Sequence, residues 1–538
     1  MKIALTFSGG GYRASAFNLG TLTYLDKVLI NKDTLLNKVV VLSTVSGGTI
    51  TGAKYAIGIK KGDTLKDIYT SLYKFFLEVD LISLSLDHLK SSNCWSKNRV
   101  RSLINSFADI YDKLLFKNDK FGVLLDDNGN PIHLKHIAFN ATEFTTGLQF
   151  RFQISEKILF PRPDEPNRGI IGNRENIIPE YIAKEIRMGD IVASSSCFPA
   201  GFEPINFPTD FVLPETKEIE QFMQNEKYPI GLMDGGIVDN QGIEPVILAE
   251  ERMKRNNPDK NDNILDLIIV SDVSSPYMKS FSASLQHKDN WWRRLTMKKV
   301  LCNLVSLLTV ALVSLFFSVF YFHMAWAILS AVIITLSIIL FTTLWGIRMF
   351  IIKNKMVDPS KLKGIIRIKF GTIEDMIRNR INSLLDLTSS VFMKHIRRLN
   401  YNKVYGYEHW KNRRIMNAIY ELRKGEKKID DKNKRGELKD YLLPSIAIQE
   451  VSRIASDMGT TLWFEKQDKD SGVLDAIIAC GQYNVCWNLL EYIEKIKNDT
   501  NNTNDNHKLL LLCEQQLKAD WEKFKEDPFW LVKKYNEK

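Results

Sequence analysis

Residues 39–48 read VVVLSTVSGG and residues 2–14 read KIALTFSGGGYRA. The first stretch is an aliphatic, β-branched run of the buried-strand type, Val39–Ser43, that leads to Ser46-Gly47-Gly48. A strand that ends on a serine among small residues is close to the G-x-S-x-G elbow, where a tight strand-to-helix turn presents a serine hydroxyl. Small neighbours are needed because backbone atoms come close there. Gly48 stands two places after the serine; Thr44 stands where glycine is usual. The second stretch is a strand, Lys2–Ser8, that runs into Gly9-Gly10-Gly11 and a helix expected to carry Leu19, Leu22, Leu25 and Leu29 on one face. Glycines at a helix N-terminus expose backbone N–H groups that bind a phosphate or a developing oxyanion.

Gly9-x-Gly11-x-x-Ala14 also matches the dinucleotide fingerprint. That fingerprint calls for an acidic residue at the end of the next strand. The next strand leads to Ser46 instead, which sets the nucleotide reading aside. Further short apolar strands, His136–Ala141 and Leu265–Val273, are of the parallel, doubly covered kind. The first 290 residues therefore read as α/β.

A third motif, Met233-Asp234-Gly235-Gly236, is by itself an ordinary turn. With the glycine triplet and the serine elbow, it resembles the patatin-like phospholipase family, whose members carry a GGGxR loop, a GxSxG serine and a DGG or DGA aspartate. Two more stretches share the resemblance: Ser194–Pro204 (SSSCFPAGFEP) and Asn140–Gly147 (NATEFTTG). Five landmarks in register cover Met1 to about Val273. The resemblance implies a three-layer hydrolase domain with a mainly parallel central sheet. It implies a Ser–Asp dyad in which Ser46 attacks an acyl ester and Asp234 takes its proton. An oxyanion hole is then expected at Gly9, Gly10, Gly11 and Gly47, with Arg13 supporting the loop. Thr44, and Ala14 where the family has glycine, depart from the pattern and put rate and loop geometry in question. The expected substrate is a membrane phospholipid or lysophospholipid. No histidine sits in a motif, and no cysteine or histidine grouping suggests a metal, so no cofactor is expected.

Between residues 301 and 347 there is no Asp, Glu, Lys or Arg. As one helix this run would extend roughly 70 Å, against a hydrocarbon core of about 30 Å; two spans fit. Lys288, Arg293, Arg294, Lys298 and Lys299 precede it, and Arg348, Lys353 and Lys355 follow. Basic flanks at both ends place both on the cytoplasmic side. Trp291, Trp292 and Trp345 are expected at the near interface, and Tyr321, Phe322, His323 and Trp326 at the far one. The alternative is a monotopic hairpin, since Tyr321–Trp326 lacks Gly, Pro and Asn.

The net charge of +10 points to an anionic partner, nucleic acid or an acidic membrane face. Its concentration around the hairpin, without a nucleic-acid motif, favours the bilayer. The scattered cysteines and the absence of a signal-peptide core fit catalysis from the cytoplasm, at a bacterial inner membrane. The expected division is 1–290 catalytic, 291–355 hairpin and 356–538 helical, with Gly364 to about Asn400 completing the catalytic domain. The alternatives are a regulated effector, such as a bacterial defence lipase, and a catalytically silent membrane scaffold of the same fold; head group and regulatory partner are open.

Overall fold

The computed structural model describes residues 1–91, 95, 99–127, 129–161, 166, 168–199, 201–224, 229–258, 264–275, 290–320, 324–353, 367–425, 427–435, 438–498 and 509–537. Lys288, Tyr321–His323, Lys355, Gly364, Ala200 and most of the polar loop expected at 498–507 lie outside these residues. The chain divides into two compact units, one formed by Met1–Tyr277 with Val391–Lys538, the other by Met278–Ser390.

The first unit is built on β1 (Ile3–Phe7), α1 (Gly11–Lys27), β2 (Val39–Val45), α2 (Gly47–Lys61), β3 (His136–Glu143), β4 (Gln149–Ser155), α3 (Met188–Ser196), β5 (Ile205–Phe207), β6 (Ile230–Asp234), α4 (Ile243–Arg255), β7 (Leu267–Asp272), α5 (Met393–Tyr405), β8 (Arg414–Ala418) and α6 (Val473–Asn498). The sheet order is β8-β7-β1-β2-β3-β6-β5, with β4 also paired to β3. From β8 to β3 the pairs are parallel; β4, β5 and β6 run antiparallel to their neighbours. The strands are apolar on both faces because both are covered. Ile3, Leu5 and Phe7 join one buried cluster, which contains α1, α2 and α6. Ala4, Val41, Ile268 and Val270 join the other, with Ile243, Val246 and Met253 of α4. That is the three-layer arrangement the sequence implies.

Two expectations are corrected. From Val391 the chain belongs to the first unit, where the region expected to be helical adds an edge strand as well as helices. Only Ile415 and Met416 are strongly apolar in β8, too short a signal to read as a strand. Leu29 leaves the helix face: α1 ends at Lys27, Val28 is extended, and Leu29 is exposed in a two-residue strand.

Helix α1 is buried nearly all round. The α1–α6 crossing is close enough to admit only glycine. A Cβ on Gly20 would lie 2.0 Å from the Ile478 carbonyl oxygen, and one on Gly481 would lie 2.0 Å from that of Phe17.

In the second unit, helices Met297–Phe320 and Met324–Lys353 pack against each other. Both are long and apolar enough to cross a membrane, and their apolar side chains are largely exposed. A third helix, Phe370–Asp386, is anchored by Arg293, which bonds Glu374 at 2.9 Å and Asp375 at 2.6 Å.

Candidate active site

The β1–β2 register sets Phe7 beside Thr44, so the loops that follow these strands, Ser8–Gly11 and Ser46–Gly47, are neighbours. Ser46 sits at φ 51° and ψ −125°, a strained conformation for a residue with a side chain and the signature of a nucleophile elbow. Gly47 follows because the loops touch: a Cβ there would lie 2.0 Å from the Gly11 carbonyl oxygen. Gly11 has φ +58° and faces the C-terminal region, where a Cβ would meet the Thr461 carbonyl oxygen at 2.1 Å.

Thr44 is accommodated where glycine is usual. Its methyl occupies the space above Gly52, whose Cβ would lie 2.3 Å from it, and its hydroxyl donates to Thr49 Oγ1 at 3.0 Å.

Asp234 ends β6 and is 2% exposed. Burial raises its carboxyl to about 6, while hydrogen bonds from the Ser46 hydroxyl and the Gly236 amide work against that rise. The Gly236 N–H donates to Asp234 Oδ1 at 2.7 Å. The Asp234 backbone is held on two sides: its N–H donates to the Cys197 carbonyl at 3.0 Å, and its carbonyl accepts from Thr142 Oγ1 at 2.9 Å. Among the described residues no histidine side chain is hydrogen-bonded to Ser46 or Asp234. His133 is engaged with Tyr55 and the Val39 carbonyl, His409 with Glu250, and His88 with Ser106. His136 is buried, and its ring is pushed down to about 3 by loss of solvation.

The glycine loop divides. The Gly9 N–H donates to the Asn240 carbonyl at 3.0 Å, so Gly9 is a brace and not an oxyanion donor. The Gly10, Gly11 and Gly47 amides lie at the N-termini of α1 and α2, where no intrahelical partner is reachable. Arg13 is buried, and its guanidinium donates to the carbonyls of Ser456 at 3.0 Å and Val273 at 3.1 Å, and to that of Met458. Its two terminal nitrogens, Nη1 and Nη2, bond to backbone carbonyls, which pins the loop to the C-terminal region.

Two contributions escaped the sequence reading. The Ser195 hydroxyl accepts the Ser46 N–H at 3.0 Å, contacts Thr49 Oγ1 at 2.8 Å and donates to the Asn140 carbonyl at 2.6 Å. It fixes the elbow from behind. The segment around Thr461 covers the glycine loop, accepting the Tyr12 N–H at 2.8 Å. The Ser194–Pro204 stretch pointed to the first; no motif marks the second.

A strained serine at a strand-to-helix turn of an α/β sheet thus lies beside a buried carboxyl and the amides of two helix N-termini. The family model described as Patatin-like phospholipase matches residues 5–247, and this part of the chain is a patatin-like phospholipase domain. Among solved structures, human GIVD cytosolic phospholipase A2 in complex with methyl gamma-linolenyl fluorophosphonate inhibitor and terbium chloride is similar at 18% identity, with a TM-score of 0.26. That match covers 50% of this chain and 40% of the other. Comparison with curated proteins finds no match.

Proposed function

We propose that this chain is a membrane-bound serine hydrolase that cleaves acyl esters of membrane phospholipids or lysophospholipids through a Ser46–Asp234 dyad. The observation that carries this reading is the strained Ser46 elbow set beside the buried Asp234 carboxyl, whose rise the Ser46 hydroxyl opposes. With its carboxyl near 6, Asp234 is mostly ionised at neutral pH yet basic enough to take a proton. Ser46 Oγ bonds to the ester carbonyl carbon as its proton passes to Asp234. The tetrahedral oxyanion is held by the amides of Gly10, Gly11 and Gly47. Its collapse expels the alcohol, which carries off the proton, and water cleaves the acyl-enzyme by the same route.

The two apolar helices would cross the bilayer and leave both basic flanks, and the catalytic unit, in the cytoplasm of a bacterium. Anionic lipid around Arg294, Lys298 and Lys299 would contribute about 1 kcal/mol per cation.

Ser46→Ala and Asp234→Asn should each lower turnover by about 10⁴-fold or more, because removing one member disables the pair. No single histidine substitution should do so. A fluorophosphonate probe should label the wild type on Ser46 only. A folded, inactive histidine variant would defeat the dyad.

A further inference from the structure

A cavity of about 800 Å³, not lined by Ser46, lies between α5, β8 and α6. Six cations line it: Arg397, Arg398, Arg414, Lys432, Lys439 and Lys495. Three carboxylates oppose them, and these are engaged: Glu491 with Lys432, Glu494 with the Tyr441 hydroxyl, and Glu421 with the Asn488 amide. Arg398 and Lys439 form no ion pair among the described residues. The aromatic wall is flat: Tyr401 and Tyr405 stack at 3.8 Å and 4°, and the Arg414 guanidinium lies 4.6 Å from the Tyr405 ring centre. The Tyr405 hydroxyl is buried and has no hydrogen-bond partner among the described residues. A cavity of ligand size, a surplus of cations and an unsatisfied donor suit an anionic molecule larger than a simple ion.

The cavity is wired to the catalytic loops. Arg397 on its wall bonds Asp272 at 2.8 Å, and Asp272 also accepts from Gln241 at 2.7 Å. Ser274, on the same wall, accepts from Asn240 Nδ2 at 2.8 Å, and the Asn240 carbonyl holds the Gly9 N–H. Asn400 of α5 donates to the Val238 carbonyl at 2.8 Å. The α5 wall and Ser274 therefore grip the Val238–Gln241 segment that follows Asp234 and braces the glycine loop.

We infer that this cavity is a regulatory site for a phosphate-bearing anion, whose occupancy adjusts the glycine loop through Asn240. The phosphate would be held by Arg398 and Lys439, with its uncharged portion against Tyr401 and Tyr405. Its carrier is a soluble metabolite or a lipid head group. The regulatory half rests on the catalytic reading above; the binding half does not.

The test uses the full chain in phosphatidylcholine nanodiscs, with pyrophosphate as the soluble probe and phosphatidic acid in the disc as the lipid probe. Binding of at least one probe is expected, and the source of the phosphate is the probe that binds. Arg398→Glu with Lys439→Glu should weaken that binding at least tenfold, while the control Lys113→Glu changes it less than twofold. Ser46→Ala protein should bind as the wild type does, which separates this site from the catalytic reading. Saturating probe should change wild-type hydrolysis of a soluble ester at least threefold. Failure of both probes to bind, or equal binding by the double variant, overturns the site. Binding with unchanged turnover overturns the coupling.

Discussion

The two units treat apolar surface in opposite ways. In the catalytic unit, Leu5, Phe7, Leu42 and Ile269 are sealed from solvent, and polar groups inside, such as Ser195 and Asn140, are hydrogen-bonded to one another. In the hairpin unit, Val310, Phe316, Ile328 and Leu336 are half exposed or more. Soluble proteins rarely leave contiguous apolar patches beyond a few hundred Å². One unit keeps water from a polar centre; the other exposes two helices long and apolar enough to cross a membrane, where helices satisfy their own backbone.

The strongest way to break this comparison is to remove the hairpin. Deleting 301–347 should move the protein from the alkali-resistant membrane fraction to the soluble one, and should reduce hydrolysis of vesicle lipid far more than of a soluble ester. Retention in the membrane, or equal losses on both substrates, would make the hairpin a structural element. Cysteine at Met324 should react with an impermeant reagent from outside, and cysteine at Lys298 should not.

Within the catalytic unit, Gly481→Val tests the closeness of the α1–α6 crossing. Its side chain would collide with the Phe17 carbonyl, and stability should fall by about 3 kcal/mol, read as a lower urea midpoint. An unchanged midpoint would mean that the helices separate cheaply.

The pH profile sharpens the contrast at Asp234. Burial raises its carboxyl to about 6, so kcat/KM should rise about tenfold per pH unit below that value and level off above it. The stability contribution has the opposite sign: the folded state binds the proton more tightly than the unfolded chain, so this group's ionisation costs stability as pH rises from about 4 to 6. A flat kcat/KM from pH 5 to 7 would exclude Asp234 as the base.

The smallest expected effect is at Ser195. Ser195→Ala leaves the Ser46 N–H and the Asn140 carbonyl without this partner, a cost of about 1–3 kcal/mol, and kcat should fall more than KM rises. Unchanged kcat would show that the elbow holds its strained angle without that brace.

Legibility followed locality. The strand-to-glycine and strand-to-serine junctions could be read because a tight turn demands small residues at fixed spacing. The two apolar helices could be read because a long run without charge is visible in the sequence alone. The C-terminal contribution was not legible: β8 is a short edge strand, and Gly20 and Gly481 are isolated glycines in helices far apart in sequence. Gly9 shows the same limit inside a legible motif, since only the fold supplied the Asn240 carbonyl that takes its amide.

The sequence by itself determined the parallel α/β sheet, the position of Ser46 after a strand, and the existence of two long apolar helices, because each follows from local periodicity or turn chemistry. Tertiary structure alone decided that the Gly9 amide is taken by the Asn240 carbonyl, that Arg13 bonds the carbonyls of Val273, Ser456 and Met458, and that residues beyond Val391 close over the glycine loop. The physical reason is that hydrogen-bond satisfaction and close packing depend on partners hundreds of residues away, and no local pattern encodes them.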